Sequence, residues 1–337
     1  MIQYFACRDG VCWRIQRAWR QRNGLIGGSR VERTITVAAV QLGPIPNDVE
    51  RPATVDRLVA LLDSAAESGA ELIVFPELAL TSFFPHWLIT NKDELRSYFE
   101  EEMPTNGVLP LFQAAKRHGV AFVLGYAERT PEERFFNSSI FVNESGRILQ
   151  KYRKIHLPGF REPRVGDPHQ NLEKMYFEVG DLGFEVSPWH QTRVGLAICN
   201  DRRWAESYRV LALKGAELVC IGYNTPVHSP HLPETDRLAD FHNHLSMQAG
   251  AYQNGLWVIG AAKAGVEEGV DQIGGSAIIS PSGELVACAE TKGDEVVLAE
   301  IDLDMSTRYR RDNFNFSHHR RPEHYGVITE PIQSEDF

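Results

Sequence analysis

Three residues of this chain carry reactive or charged groups where otherwise buried segments end. Cys199 closes the apolar run RVGLAIC, Glu77 follows ELIVFP, and Lys154 stands in QKYRKIHLPG, shortly after the strand-like RIL. A thiol is a weak nucleophile until it loses its proton, and a carboxylate within hydrogen-bond reach can take that proton. Glu77 has the right chemistry for such a base. An ammonium beside the pair would lower the thiol pKa and then hold the oxyanion that forms when a thiolate attacks a carbonyl, which suits Lys154. Each residue also has an ordinary use. A cysteine ending a strand commonly serves as a small buried hydrophobe, as Cys220 in ELVCIGY reads. Glu77 could cap a helix, and Lys154 could join Lys151 and Arg153 in a solvated basic face.

Positioning three such groups requires strands that end at a common edge. Short runs rich in Val and Ile alternate with segments of helical period from Thr34 onward, the pattern of layered α/β structure. Strands are predicted at 34–42, 71–75, 120–126, 138–142, 193–199, 217–223, 256–262, 276–280 and 295–301. Val55, Leu58, Val59, Leu62, Ala65 and Ala66 form one helical stripe, and further helices are predicted over 107–119, 204–215 and 235–254. The turns NESGR (143–147) and SPSGE (280–284) leave no room for a crossover helix, so the sheet must be mixed. Ligand sites collect where the carboxyl ends of such strands converge.

With 337 residues, 43% of them hydrophobic, the chain can bury a large core. The formal charge of −10 and pI near 5.7 argue against nucleic acid or an anionic membrane as partner and leave a small molecule as the expected ligand. Cys7, Cys12, Cys199, Cys220 and Cys288 show neither a disulfide framework nor a zinc spacing, so a reducing, cytoplasmic setting is expected. Residues 1–33 differ from the rest. Seven arginines against Asp9 and Glu32 give this stretch +5, and it is expected to be a basic extension outside the core, with a single domain over 34–330. The pairs His228/His231 and His242/His244 have spacings that a metal could use, but no HExxH pattern accompanies them, so no metal or cofactor is expected.

VFPEL, YRKIHLPG and ICNDRRW, in this order, resemble the three signature segments of the nitrilase superfamily of carbon-nitrogen hydrolases, over roughly 34–330. The resemblance implies a four-layer αββα sandwich with two mixed sheets, assembly as a homodimer or homotetramer, and a Glu-Lys-Cys triad at Glu77, Lys154 and Cys199. FPELALTSFFPHW, ICNDRRWAESYRV and GYNTPVH look most similar to its N-carbamoyl-D-amino acid amidohydrolase branch. By the same resemblance Glu173, in NLEKMYF, is the family's second glutamate, His156 its motif histidine, and Asn224 and Thr225 a pocket wall. The chain departs from that branch at Asn171, where histidine is common. Asn171 still donates and accepts hydrogen bonds but cannot carry a proton.

The implied reaction is hydrolysis of an N-carbamoyl-D-amino acid to the amino acid, carbon dioxide and ammonia through a cysteine thioester. Asn200 would lend its backbone N–H to the oxyanion. At least one of Arg202 and Arg203 would clamp the substrate carboxylate through its planar fork. Three other readings remain open: an amidase or β-ureidopropionase-like enzyme with a different carboxylate-bearing substrate, a metal-dependent amidohydrolase, and a non-catalytic protein on the same fold.

Overall fold

The computed structural model describes residues 33–331 in full and the backbone of 2–8 and 11–17. The strands are β1 (Ile2–Arg8), β2 (Val11–Arg17), β3 (Thr34–Gln41), β4 (Leu72–Val74), β5 (Ala121–Arg129), β6 (Phe135–Val142), β7 (Ile148–Arg153), β8 (Val186–Trp189), β9 (Thr192–Ile198), β10 (Leu218–Tyr223), β11 (Trp257–Ala262), β12 (Ala264–Glu267), β13 (Val270–Ile273), β14 (Ala277–Ile279), β15 (Leu285–Cys288) and β16 (Glu295–Asp302). The helices are α1 (Arg51–Glu67), α2 (Lys92–Ser97), α3 (Leu109–His118), α4 (Glu173–Tyr176), α5 (Ala205–Leu213), α6 (Ala239–Asn254), α7 (Asp304–Asp312) and α8 (Phe316–His319).

The strands form two large sheets. One runs β1-β2-β16-β3-β4-β5-β6-β7 and the other β15-β14-β11-β10-β9-β8, with β12 and β13 as a separate hairpin. Both share one plan: three adjacent parallel strands joined through helices (β3, β4, β5 and β9, β10, β11), flanked by antiparallel ones. The duplication is one of topology, without a repeat in the sequence.

The central strands read as unbroken apolar runs because both of their faces are covered. Along β3, Val37 and Ala39 point into the core shared with the second sheet, whereas Ala38 and Val40 pack under α1 and α3. Ala121 and Val123 of β5 alternate with Phe122 and Leu124 in the same way. On the far side α5 and α6 bury Tyr208, Leu211, Met247 and Ala251 against the second sheet. The result is the αββα layering expected.

All nine predicted strands are present, within three residues at each end. The structure adds β8, β12, β13 and β15 and extends RIL into β7. These are short or edge strands. β7 (ILQKYR) exposes Lys151 between the buried Gln150 and Tyr152, and β8 (VSPW) contains a proline, which an edge tolerates. The backbone of β1 and β2 pairs as a hairpin, and β2 lies parallel to β16, so the basic extension adds two strands to the edge of the first sheet. Among the described residues no helix is long and apolar enough to cross a membrane.

Candidate active site

β4 and β9 belong to different sheets, yet the segments that follow them meet. After β4, Phe75, Pro76 and Glu77 pass between Gly125 of β5 and Gly222 of β10. A Cβ on Gly125 would stand 2.5 Å from the Pro76 carbonyl oxygen, and one on Gly222 would stand 2.5 Å from the Glu77 nitrogen. Two absent side chains, one in each sheet, give Glu77 its place between them.

Glu77 is fully buried. Its Oε1 accepts hydrogen bonds from Lys154 Nζ and Asn137 Nδ2, both at 2.8 Å, and its Oε2 accepts one from the Asn224 backbone N–H at 2.8 Å. Lys154, at the exit of β7, also donates to Glu173 Oε2 at 2.5 Å. One ammonium therefore serves two carboxylates. Burial raises the Glu173 pKa most, Lys154 opposes it, and Glu77 adds to the rise, leaving this carboxyl at about 7. Burial alone would favour a neutral Lys154, but Cys199, Glu173 and Glu77 outweigh it and hold the ammonium well above its usual range.

Cys199 opens a tight 3-10 turn, Cys199–Arg203, directly after β9, with φ at 45°. That left-handed conformation costs a non-glycine residue about 1–3 kcal/mol and needs support from its surroundings. Asp201, fully buried, supplies it. Its Oδ2 accepts from the Ile198 N–H at 2.9 Å and the Tyr152 hydroxyl at 2.8 Å, and its Oδ1 accepts from the His156 N–H at 3.0 Å and lies 2.7 Å from His156 Nδ1. The thiol donates to the Asn224 carbonyl at 3.0 Å. Sequence chemistry led to the expectation that Lys154 would lower the thiol pKa. Lys154 and Arg202 do pull it down, but burial and the Glu77 charge outweigh them, and the net direction is upward. The resting side chain is a protonated thiol, and its proton has to leave as the bond to substrate forms.

In front of the thiol lies a cavity of about 520 Å³ whose wall includes Asn171, Glu173, Asn200, Arg203, Asn224 and Thr225. Glu77 and Lys154 sit behind it. The two arginines part company. Arg202 is 1% exposed and its guanidinium is fully engaged: Nε donates to Asn243 Oδ1, Nη1 to the Cys199 carbonyl and Nη2 to Thr225 Oγ1, over the Tyr223 ring. It braces the cysteine turn and has no fork left for a substrate, which corrects the expectation that it could serve as a clamp. Arg203 reaches the cavity wall, is exposed, and makes no hydrogen bond or ion pair among the described residues.

His156, the motif histidine, does not line this cavity. It pairs with Asp201, stacks on Trp204 at 5.0 Å, and lines a neighbouring cleft that shares Asn200 with the thiol's cavity. The Asn171 and Asn224 Oδ1 atoms are buried without a hydrogen-bond partner. Asn137 and Asp201 were missed in the sequence. An asparagine inside the apolar strand FFNSSIFV and an acid within the cysteine motif were the available signals. Among the described residues no group of three His, Cys, Asp or Glu side chains is placed to hold a metal ion. His228 pairs instead with Asp236, and His244 with the Gly275 carbonyl.

A family model of carbon-nitrogen hydrolases matches residues 36–311. The chain belongs to the carbon-nitrogen hydrolase family. It is accordingly an enzyme acting on amide-type C–N bonds. A citrullinase from Francisella tularensis is 31% identical over 87% of this chain and 98% of its own length. An N-carbamoylputrescine amidase from Solanum tuberosum is 32% identical over 88% and 95%. The crystal structure of a carbon-nitrogen hydrolase from Helicobacter pylori G27 superposes with a TM-score of 0.77 at 25% identity, covering 89% of this chain and 99% of that one.

Proposed function

We propose that the enzyme hydrolyses N-carbamoyl-D-amino acids to the amino acid, carbon dioxide and ammonia. The observation that carries this reading is the chemistry of the cavity wall beside Cys199. Arg203 is an uncommitted guanidinium there, and the only carboxylate among the lining residues is Glu173, which is tied to Lys154. Such a wall favours a substrate with a carboxylate. An N-carbamoyl diamine, as in the name of the Solanum relative, would bring an ammonium to a wall without a free acid. The D configuration is carried by the resemblance of the motifs.

In this reading Glu77 takes the thiol proton as the sulfur attacks the ureido carbonyl carbon. Lys154 and the Asn200 backbone N–H hold the oxyanion, while the unpartnered Asn171 Oδ1 accepts a ureido N–H. Glu77 returns the proton to the departing ammonia, leaving an S-carbamoyl enzyme. Water, activated by Glu77, then releases an N-carboxy amino acid, which loses carbon dioxide. Glu173 keeps Lys154 oriented throughout.

Ammonia release from paired D- and L-N-carbamoyl amino acids, with β-ureidopropionate and simple amides as controls, tests the proposal. Turnover of the D-acids is expected. If only β-ureidopropionate or simple amides react, the N-carbamoyl-D-amino acid reading is wrong.

A further inference from the structure

The far wall of the same cavity is built from histidines. His86 ends the short 3-10 turn Phe84–His86. The loop that follows Pro158 is clipped to this turn by two backbone bonds, Gln170 N–H to the His86 carbonyl at 2.8 Å and Leu172 N–H to the Pro85 carbonyl at 2.9 Å. The clip seats the His169 ring 5.1 Å from the His86 ring, and His228, from the loop after β10, stands 6.1 Å beyond His169. All three line the cavity.

His86 and His169 are 2% and 8% exposed, and no ring nitrogen of either makes a hydrogen bond among the described residues. Their neighbours are committed. His228 Nδ1 donates to Asp236, and His231 Nδ1 accepts from Arg164 while its Nε2 faces Asp167. The His86 and His169 rings line the cavity with no hydrogen bond committed elsewhere among the described residues, so a ligand there can supply the partner they lack. Burial is the main reason both imidazoles stay uncharged. The nearness of His169 and then Lys263 adds to this at His86, and that of His228 and His231 at His169, where Asp167 opposes it. Lys263 is itself bound to Glu267. A carboxylate arriving between the rings would accept their N–H groups and favour a proton on one of them. Among the described residues no free acid on this wall competes, since Asp167 and Asp236 are turned onto His231 and His228.

We propose that His86 and His169, with His228 beside them, form a second acid-binding subsite that receives a side-chain carboxylate, so that the preferred substrates are N-carbamoyl derivatives of dicarboxylic amino acids. The inference rests on the carbamoyl-acid reading above. Arg203 takes the α-carboxylate and the histidines take the other end of the molecule.

The test compares kcat/KM for N-carbamoyl-glutamate and N-carbamoyl-aspartate with their amide isosteres, the N-carbamoyl derivatives of glutamine and asparagine, and with N-carbamoyl-alanine as reference. It is run on wild type, His86→Gln, His169→Gln and Arg203→Gln. The wild type is expected to prefer each acid over its amide by about 10- to 100-fold, the range of a charge-assisted hydrogen bond. That ratio should fall toward 1 in both histidine variants, whereas Arg203→Gln should lower every substrate together and leave the ratio standing. The subsite is overturned if N-carbamoyl-alanine reacts but the acids are no better than the amides, or if the ratio survives both histidine substitutions. Absence of turnover on every N-carbamoyl acid overturns the underlying function and the subsite with it.

Discussion

Gly222→Ala places a methyl group where the two sheets leave no space. The new Cβ would lie 2.5 Å from the Glu77 nitrogen, 2.7 Å from the Pro76 carbonyl carbon and 3.0 Å from the Phe75 carbonyl oxygen, all of them backbone atoms that cannot rotate away. Ordinary van der Waals contact begins at 3.4 Å, so relief from 2.5 Å to 3.4 Å moves Glu77 by about 0.9 Å. Overpacking of this kind costs about 1–3 kcal/mol, which a domain with about 5–15 kcal/mol of stability survives. A displacement near 1 Å at a reacting group, by contrast, costs on the order of 10²-fold in rate. The expected result is a folded enzyme with kcat reduced about a hundredfold, read by ammonia release on the best wild-type substrate alongside a denaturant midpoint. Gly125→Ala should behave alike, because its Cβ meets Pro76 and Glu77 from the opposite side. Gly107→Ala, whose Cβ would meet only Thr105 Oγ1 at 3.9 Å, serves as the control. A kcat within threefold of wild type in Gly222→Ala would refute the idea that the glycine pair sets the position of Glu77.

Arg203→Gln should raise KM for N-carbamoyl acids by about 10- to 100-fold while leaving KM for a small neutral amide nearly unchanged. Arg202→Met should instead destabilise the fold by about 3 kcal/mol or more, because it strands the Asn243, Thr225 and Cys199 acceptors; a denaturant midpoint equal to wild type would count against the bracing role. With the Glu173 carboxyl raised to about 7, the folded state keeps a proton that the unfolded chain has already released, so stability should fall as pH rises from the ordinary carboxylate range to about 7. Glu173→Gln should remove that slope, and denaturant midpoints between pH 5 and pH 7.5 check it. Activity should withstand a strong chelator and vanish in Cys199→Ala; inactivation by the chelator would revive the metal-dependent reading.

Much of the molecule was legible because its central strands are covered on both faces, which forces unbroken apolar runs such as ELVCIGY and LWVIGAA. Edge strands obey a weaker rule. In β7 Gln150 and Tyr152 turn inward while Lys151 points out, so ILQKYR reads as polar. Glu77 and Lys154 were legible as charged groups at apolar strand exits, which are costly to bury unless they meet, whereas Cys199 stood out from a buried cysteine such as Cys220 only through its motif. What sequence could not apportion was the division of labour between neighbours. Arg202 and Arg203 are chemically identical and adjacent, and only the direction in which the 3-10 turn points them makes one a brace and the other a wall of the cavity. The sign of the thiol's pKa shift was hidden likewise, because it depends on how burial balances against Lys154.

The candidate nucleophile rides on one sheet and its candidate base on the other, with the Asn224 backbone tying the two through Glu77 Oε2 on one side and the thiol on the other. Neither half of the sandwich therefore holds a working site by itself. A partly assembled chain with one sheet formed would display a buried-type cysteine or a stray carboxylate, but no hydrolytic activity. Turnover thus reports on the docking of the sheets. During denaturation it should disappear as they separate, before the strands themselves are lost, and a nascent enzyme stays inert until its two halves have closed on each other.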